Sequence, residues 1–74
     1  MTDGADIGAR LFELRDERDW TQDELAEEAG ISHTTIVGIE TGRIKHPRTA
    51  TLRRLARAFD MSLEQFVTPK ALAR

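Results

Sequence analysis

Residues 21–42, TQDELAEEAGISHTTIVGIETG, hold the most specific pattern in the chain. Thr21 with Glu24 three positions on is a capping box, which satisfies two free amides at a helix start. It opens a short helix carrying Leu25, Ala26 and Ala29. Gly30 then supplies the left-handed residue that ends a helix. Ser32 is a second N-cap, and a further helix is expected from about His33 to Thr41, stopped by Gly42. Ala26 is small where the two helices would cross. Leu25, Ile31, Ile36 and Ile39 take the inward positions around the Gly30-Ile31-Ser32 corner. Together these features are a helix-turn-helix at about residues 22–41. An ordinary helical hairpin does not ask for Ala26 and Gly30 together.

The flanks are helical too. Ile7, Leu11 and Leu14 recur at i, i+4 and i+7, one apolar stripe of a first helix over about residues 6–18. Asp6 is its expected cap, and Asp19 breaks the pattern. Residues 42–48 contain Gly42, Pro47, Arg43, Lys45, His46 and Arg48, and read as a loop. Arg48 or Thr49 begins a fourth helix, with Leu52, Leu55, Ala56 and Phe59 on one face. Ser62-Leu63-Glu64-Gln65 is a second capping box opening a short fifth helix that contains Phe66, and Pro69 ends it. The expectation is an all-α domain of five helices over residues 6–68, between flexible segments 1–5 and 69–74.

Seventy-four residues provide one core. There is no cysteine, which excludes a disulfide framework or a Cys-based zinc site. His33 and His46 cannot build a metal site alone, so neither metal nor cofactor is expected. No apolar run approaches the ~20 residues of a membrane span. The polar start Met1-Thr2-Asp3-Gly4 is neither a signal nor a transit peptide, and a cytoplasmic location fits. No nucleophile–base pair, carboxylate pair or phosphate loop is visible, which argues against an enzyme. The net charge of -2 conceals an asymmetry. Residues 1–40 hold eleven acids and three bases, a balance of -8; residues 41–74 hold eight bases and two acids, a balance of +6. A basic side facing a polyanion is one reading of that split, and two solvated faces of opposite sign is the other.

The sequence resembles the phage lambda-type repressor and Cro (Xre-like) helix-turn-helix family over about residues 7–67. The likeness rests on Ile7 to Leu11, Thr21 to Ala26, Gly30-Ile31-Ser32, Ile36, Ile39 to Arg43, Pro47, Leu52 to Phe59 and Ser62-Leu63. It implies a five-helix lambda-repressor-like DNA-binding domain whose third helix enters the major groove. It also implies contact roles. Gln22 matches a phosphate ligand at the start of the second helix, where free amides face the same anion. Ser32, His33, Thr34, Thr35, Val37 and Gly38 match the base-reading edge. Thr34 and Thr35 can bond phosphate or a base edge, and Val37 can touch a thymine methyl.

Gly38 departs from the family, which carries a long polar or basic residue there. Either it lets the backbone approach the groove or it marks a weak reader. With no Arg, Lys, Asn or Gln on the exposed face, bidentate base readout from this helix is unavailable. Modest direct specificity is expected, with some of it moved to DNA shape. In the following loop Arg43 and Lys45 match phosphate contacts, with His46 beside them, and Arg48 matches a minor-groove contact.

Arg15 and Glu40 match residues that pair across the first and third helices. Trp20, where the family is aliphatic, is expected to pack between the first two helices. Met61, Leu63, Phe66 and Val67 are the candidate dimer surface, or else they close the core. The functional expectation is a homodimeric regulator of transcription, by default a repressor, on a palindromic operator in double-stranded DNA. A protein-interaction module such as an antitoxin, in which the acidic first two helices hold a regulatory protein, is the alternative.

Overall fold

The computed structural model describes residues 4–67, with side chains from Ile7 onward. Among them five helices follow in order: α1 (Gly4–Glu17), α2 (Gln22–Ala29), α3 (His33–Thr41), α4 (Thr49–Ala58) and α5 (Leu63–Val67). The described residues are all-α. α1 lies on α3 and α5, α2 on α3 and α4, and α4 on α5. None of these helices is long and apolar enough to cross a membrane.

α1 begins two residues before the periodicity predicts. Asp6 is therefore inside the helix and not at its N-cap position, and Gly4 and Ala5 are helical. Nothing at Gly4 or Ala5 stops the ladder, and alanine is the best helix former. The remaining terminal assignments, residues 1–3 and the end of the last helix at Pro69 with its tail, lie outside the described residues.

The helix ends follow local chemistry. Thr21 Oγ1 accepts from Glu24 N at 3.1 Å while Glu24 Oε1 accepts from Thr21 N at 2.8 Å. Ser62 and Gln65 repeat that exchange at 3.0 and 2.9 Å and start α5. Gly30, at φ 69°, closes α2 in the left-handed conformation that glycine adopts freely. α1 instead ends through Asp19 at φ 56°, with Trp20 N donating back to Arg15 O at 3.0 Å. Aspartate is one of the few residues besides glycine that visits this region.

Two arginines of α1 complete the far ends of other helices. Arg10 donates from Nε to Phe66 O and from Nη2 to Gln65 O, each at 3.0 Å. Arg18 donates to Phe59 O at 3.1 Å, its guanidinium 5.1 Å from the Phe59 ring centroid. Both sit where carbonyls lack a partner within the helix and where positive charge meets the helix dipole.

The core is Leu11, Leu14, Leu25, Ile36, Ile39, Leu55, Phe59 and Phe66, with Ala26, Ala29 and Ala56 at the close crossings. Phe66 is 0% exposed and stacks on Phe59 at 6.3 Å between centroids. That corrects its assignment to a dimer surface: α5 is too short to hold itself, and Phe66 is the side chain that anchors it. Trp20 is half-buried, its ring 5.5 Å from Phe59, so it packs toward the end of α4 as well as beside α1.

Candidate nucleic-acid interface

α3 divides into two faces. Ile36 and Ile39 are fully buried, while His33 and Thr34 are exposed and Thr35 and Val37 half-exposed. The Ser32 hydroxyl caps the helix by accepting from Thr35 N at 3.1 Å, and it also bonds the Thr35 hydroxyl at 2.9 Å. Ser32 and Thr35 thus hold one another at the start of the helix. His33 Nε2 stands 3.6 Å from Asp23 Oδ1 across the corner. Both groups are well exposed, so this contact contributes little to stability.

Gly38 is not open to solvent as the sequence suggested, because the following loop covers it. It is buried, and a Cβ there would lie 2.7 Å from Ile44 Cδ1 and 2.9 Å from Arg43 Nη2. After Gly42 the chain doubles back, Ile44 N donating to Gly38 O at 2.9 Å. The missing side chain is therefore neither an approach for a groove nor bare helix; it makes the seat of the following loop. Ile44, which sequence reading passed over, is half-buried against the core. An isolated isoleucine inside a polar loop was the available signal.

That seat fixes the loop's position beside α3. Arg43, Lys45, His46 and Arg48 are all exposed. Arg48 is also the N-cap of α4 and makes no side-chain cap bond, so the opening amides of that helix lack side-chain capping. Further along α4, Arg53 and Arg57 are exposed and Arg54 donates to Gly30 O at 3.4 Å. Exposed basic side chains thus run through the loop and along α4, while the exposed acids Glu13, Asp16, Asp23, Glu24, Glu27 and Glu28 belong to α1 and α2; Glu27 and Glu28 share a cleft with Arg53, Arg54 and Arg57.

Behind the interface lies one ion pair. Arg15 donates from Nε to Glu40 Oε2 at 2.8 Å and from Nη2 to Glu40 Oε1 at 3.0 Å, and from Nη1 to Trp20 O at 2.8 Å. The bond to Glu40 raises the Arg15 pKa further above its already high value, against the opposing effect of burial. Gln22 Nε2 donates to Glu40 Oε1 at 3.0 Å. One amide hydrogen of Gln22 is therefore engaged inside the fold, and its remaining hydrogen and carbonyl oxygen are what a phosphate contact would draw on. Glu40 so links α1, the start of α2 and the end of α3.

Among the described residues no group of three His, Asp or Glu side chains is placed to hold a metal.

Comparison with known proteins agrees with this geometry. A profile described as helix-turn-helix matches residues 11–66. The chain is 33% identical over 64 residues to the HTH-type transcriptional regulator PuuR of Escherichia coli K12, covering 86% of this chain and 34% of PuuR. It thus spans about a third of that relative's length. It is 38% identical over 63 residues to the ImmF control region 10 kDa protein of Bacillus phage phi105, covering 85% of this chain and 69% of the phage protein. Among solved structures, SinR, the master regulator for biofilm formation, in complex with DNA superposes with a TM-score of 0.78 at 27% identity, covering 84% of this chain and 98% of that one. SinR in its complex with SinI gives 0.79 at 28%, covering 86% and 62%. On the match of its profile over most of the chain, this protein belongs to the Xre/lambda-repressor-like helix-turn-helix family of DNA-binding transcription regulators.

Proposed function

We propose that the chain is a sequence-specific DNA-binding regulator that acts as a homodimer on a palindromic operator and represses by occupying it. The observation that carries this reading is the side-by-side placement of the exposed face of α3 and the basic loop, locked by the Ile44–Gly38 hydrogen bond. A capped helix start reads base edges while flanking cations hold phosphate; recognition helices divide their work this way. Gln22, Ser32, His33, Thr34, Thr35 and Val37 form the helix side of the contact. Arg43, Lys45, His46 and Arg48 form the loop side. Gly38 acts indirectly, by seating the loop. The DNA complex of SinR, whose domain superposes on this one, supports the assignment.

A salt titration tests it. Binding to a selected duplex should weaken steeply with salt as counterions are released. Lys45→Ala should weaken all sequences about equally and lower the salt slope by about one. An unchanged slope removes Lys45 from the phosphate contacts.

One observation favours a second reading, in which α1 and α2 hold a protein. Phe12, 55% exposed on acidic α1, is the exposed large hydrophobic side chain among the described residues. SinR is also solved with a protein partner, SinI. Absence of DNA binding at low salt would favour that reading.

A further inference from the structure

The exposed row of α3 lacks a long hydrogen-bond donor of its own, yet the structure brings one to it from the loop. Thr34 and Gly38 are one turn apart and share a face of the helix. The Arg43 guanidinium lies across that row. Its Nη2 donates to Thr34 O at 3.5 Å and stands 2.9 Å from the place a residue-38 Cβ would occupy. Ile44, seated on Gly38 with Cγ1 2.9 Å from the same point, fixes the backbone that carries it. Arg43 is nonetheless exposed. A guanidinium has five N–H donors in a planar fork. One is directed at the Thr34 carbonyl, and others remain free to project beyond the helix.

We propose that Arg43 reads a guanine in the major groove, taking the place of the side chain that residue 38 lacks. The proposal rests on the DNA-binding reading above. A group that only neutralises phosphate needs reach and charge. Arg43 instead has a position: it is laid along the helix row that faces base edges when α3 occupies the groove. From there the fork matches the O6 and N7 acceptors of guanine. Gly38 is then a requirement of specificity, since any larger residue would push the guanidinium off the row. The expectation of modest direct readout, drawn from the side chains of α3 alone, is thereby revised upward by one base position per half-site.

The test selects bound sites from random double-stranded DNA with the wild type, Arg43→Ala and Arg43→Lys, after thermal melting has verified that all three fold. The wild type should select a guanine at one fixed position in each half-site. Replacing that base should weaken the wild type about tenfold or more and Arg43→Ala less than about twofold. Arg43→Lys should keep the salt slope and lose the guanine preference, because an ammonium lacks the planar fork. Two outcomes overturn the proposal while leaving DNA binding intact. In one, guanine discrimination survives in Arg43→Ala. In the other, that variant weakens every site equally and lysine restores it, which makes Arg43 a phosphate contact. Wild-type protein that enriches no sequence and binds no duplex at low salt defeats the DNA-binding reading itself.

Discussion

Glu40 carries more than its pairing with Arg15. Its side chain is 7% exposed, that of Arg15 is 15% exposed, and three helices meet in its hydrogen bonds. Truncating one partner of such a pair leaves the other charge buried, at a cost of about 3–5 kcal/mol. A domain of this size has roughly 4–11 kcal/mol in total. Glu40→Ala is therefore expected to lose about a third or more of its stability, with its denaturant midpoint well below wild type. Arg15→Met with Glu40→Leu should recover most of the loss, because an apolar pair of similar volume needs no desolvated charge. Equal midpoints for Glu40→Ala and wild type in urea would show that water screens the pair. The two residues were legible from their places in the family pattern. The third member, Gln22, was legible only as a residue facing outward, since nothing in sequence spacing reveals that its amide turns inward onto Glu40.

At the scale of elements, the helices were readable because their ends are written in local chemistry. Thr21 with Glu24, Ser32, and Ser62 with Gln65 cap where their spacing places them. What spacing could not convey is contact between elements distant in sequence. The grips of Arg10 on α5 and Arg18 on the end of α4 cross 56 and 41 positions. The seating of Ile44 on Gly38 depends on a loop path that periodicity does not describe. The crossing of α1 over α3 is a further case. A Cβ on Gly8 would collide with the carbonyl of Ile39 and approach Glu40 O to 3.2 Å. Those are backbone atoms, so no rotamer change relieves the overlap. Gly8→Ala gains about 1 kcal/mol of helix propensity, yet overpacking costs about 1–3 kcal/mol and more where backbone must move. The expected net result is a lower melting temperature and, through the displaced end of α3, weaker DNA binding. A melting temperature equal to or above wild type would mean that α1 slides on α3 without cost.

For the whole molecule, the charge split is one of elements: the exposed acids belong mostly to α1 and α2 and the exposed bases to the loop after α3 and to α4, and the two sets meet where Glu27 and Glu28 share a cleft with Arg53, Arg54 and Arg57. The acidic side opposes indiscriminate attraction to DNA, so a single domain reading a few base pairs has little electrostatic reserve. In the proposed homodimer, pairing two copies on half-sites one helical turn apart would supply the missing affinity through the first copy's tethering of the second. With Phe66 committed to the core, the proposed dimer contact would fall on Leu63 with the exposed parts of Met61 and Val67. Met61 and Val67 lean on the core, whereas Leu63 stands in a shallow groove with Arg53, Arg57 and Asp60. In a two-fold contact each substitution acts twice, against its own copy and its neighbours. Leu63→Arg would set a third cation in a groove where Asp60 offsets one of Arg53 and Arg57, leaving an excess of positive charge on both sides of the contact. It is expected to leave the melting temperature within about 2 °C of wild type, because Leu63 is outside the core cluster. It should also leave half-site binding intact and remove most of the preference for the palindrome, a loss of about tenfold or more. Sedimentation of the protein with a full operator should then give one copy per duplex where wild type gives two. Two copies with undiminished affinity would place the dimer contact elsewhere than α5.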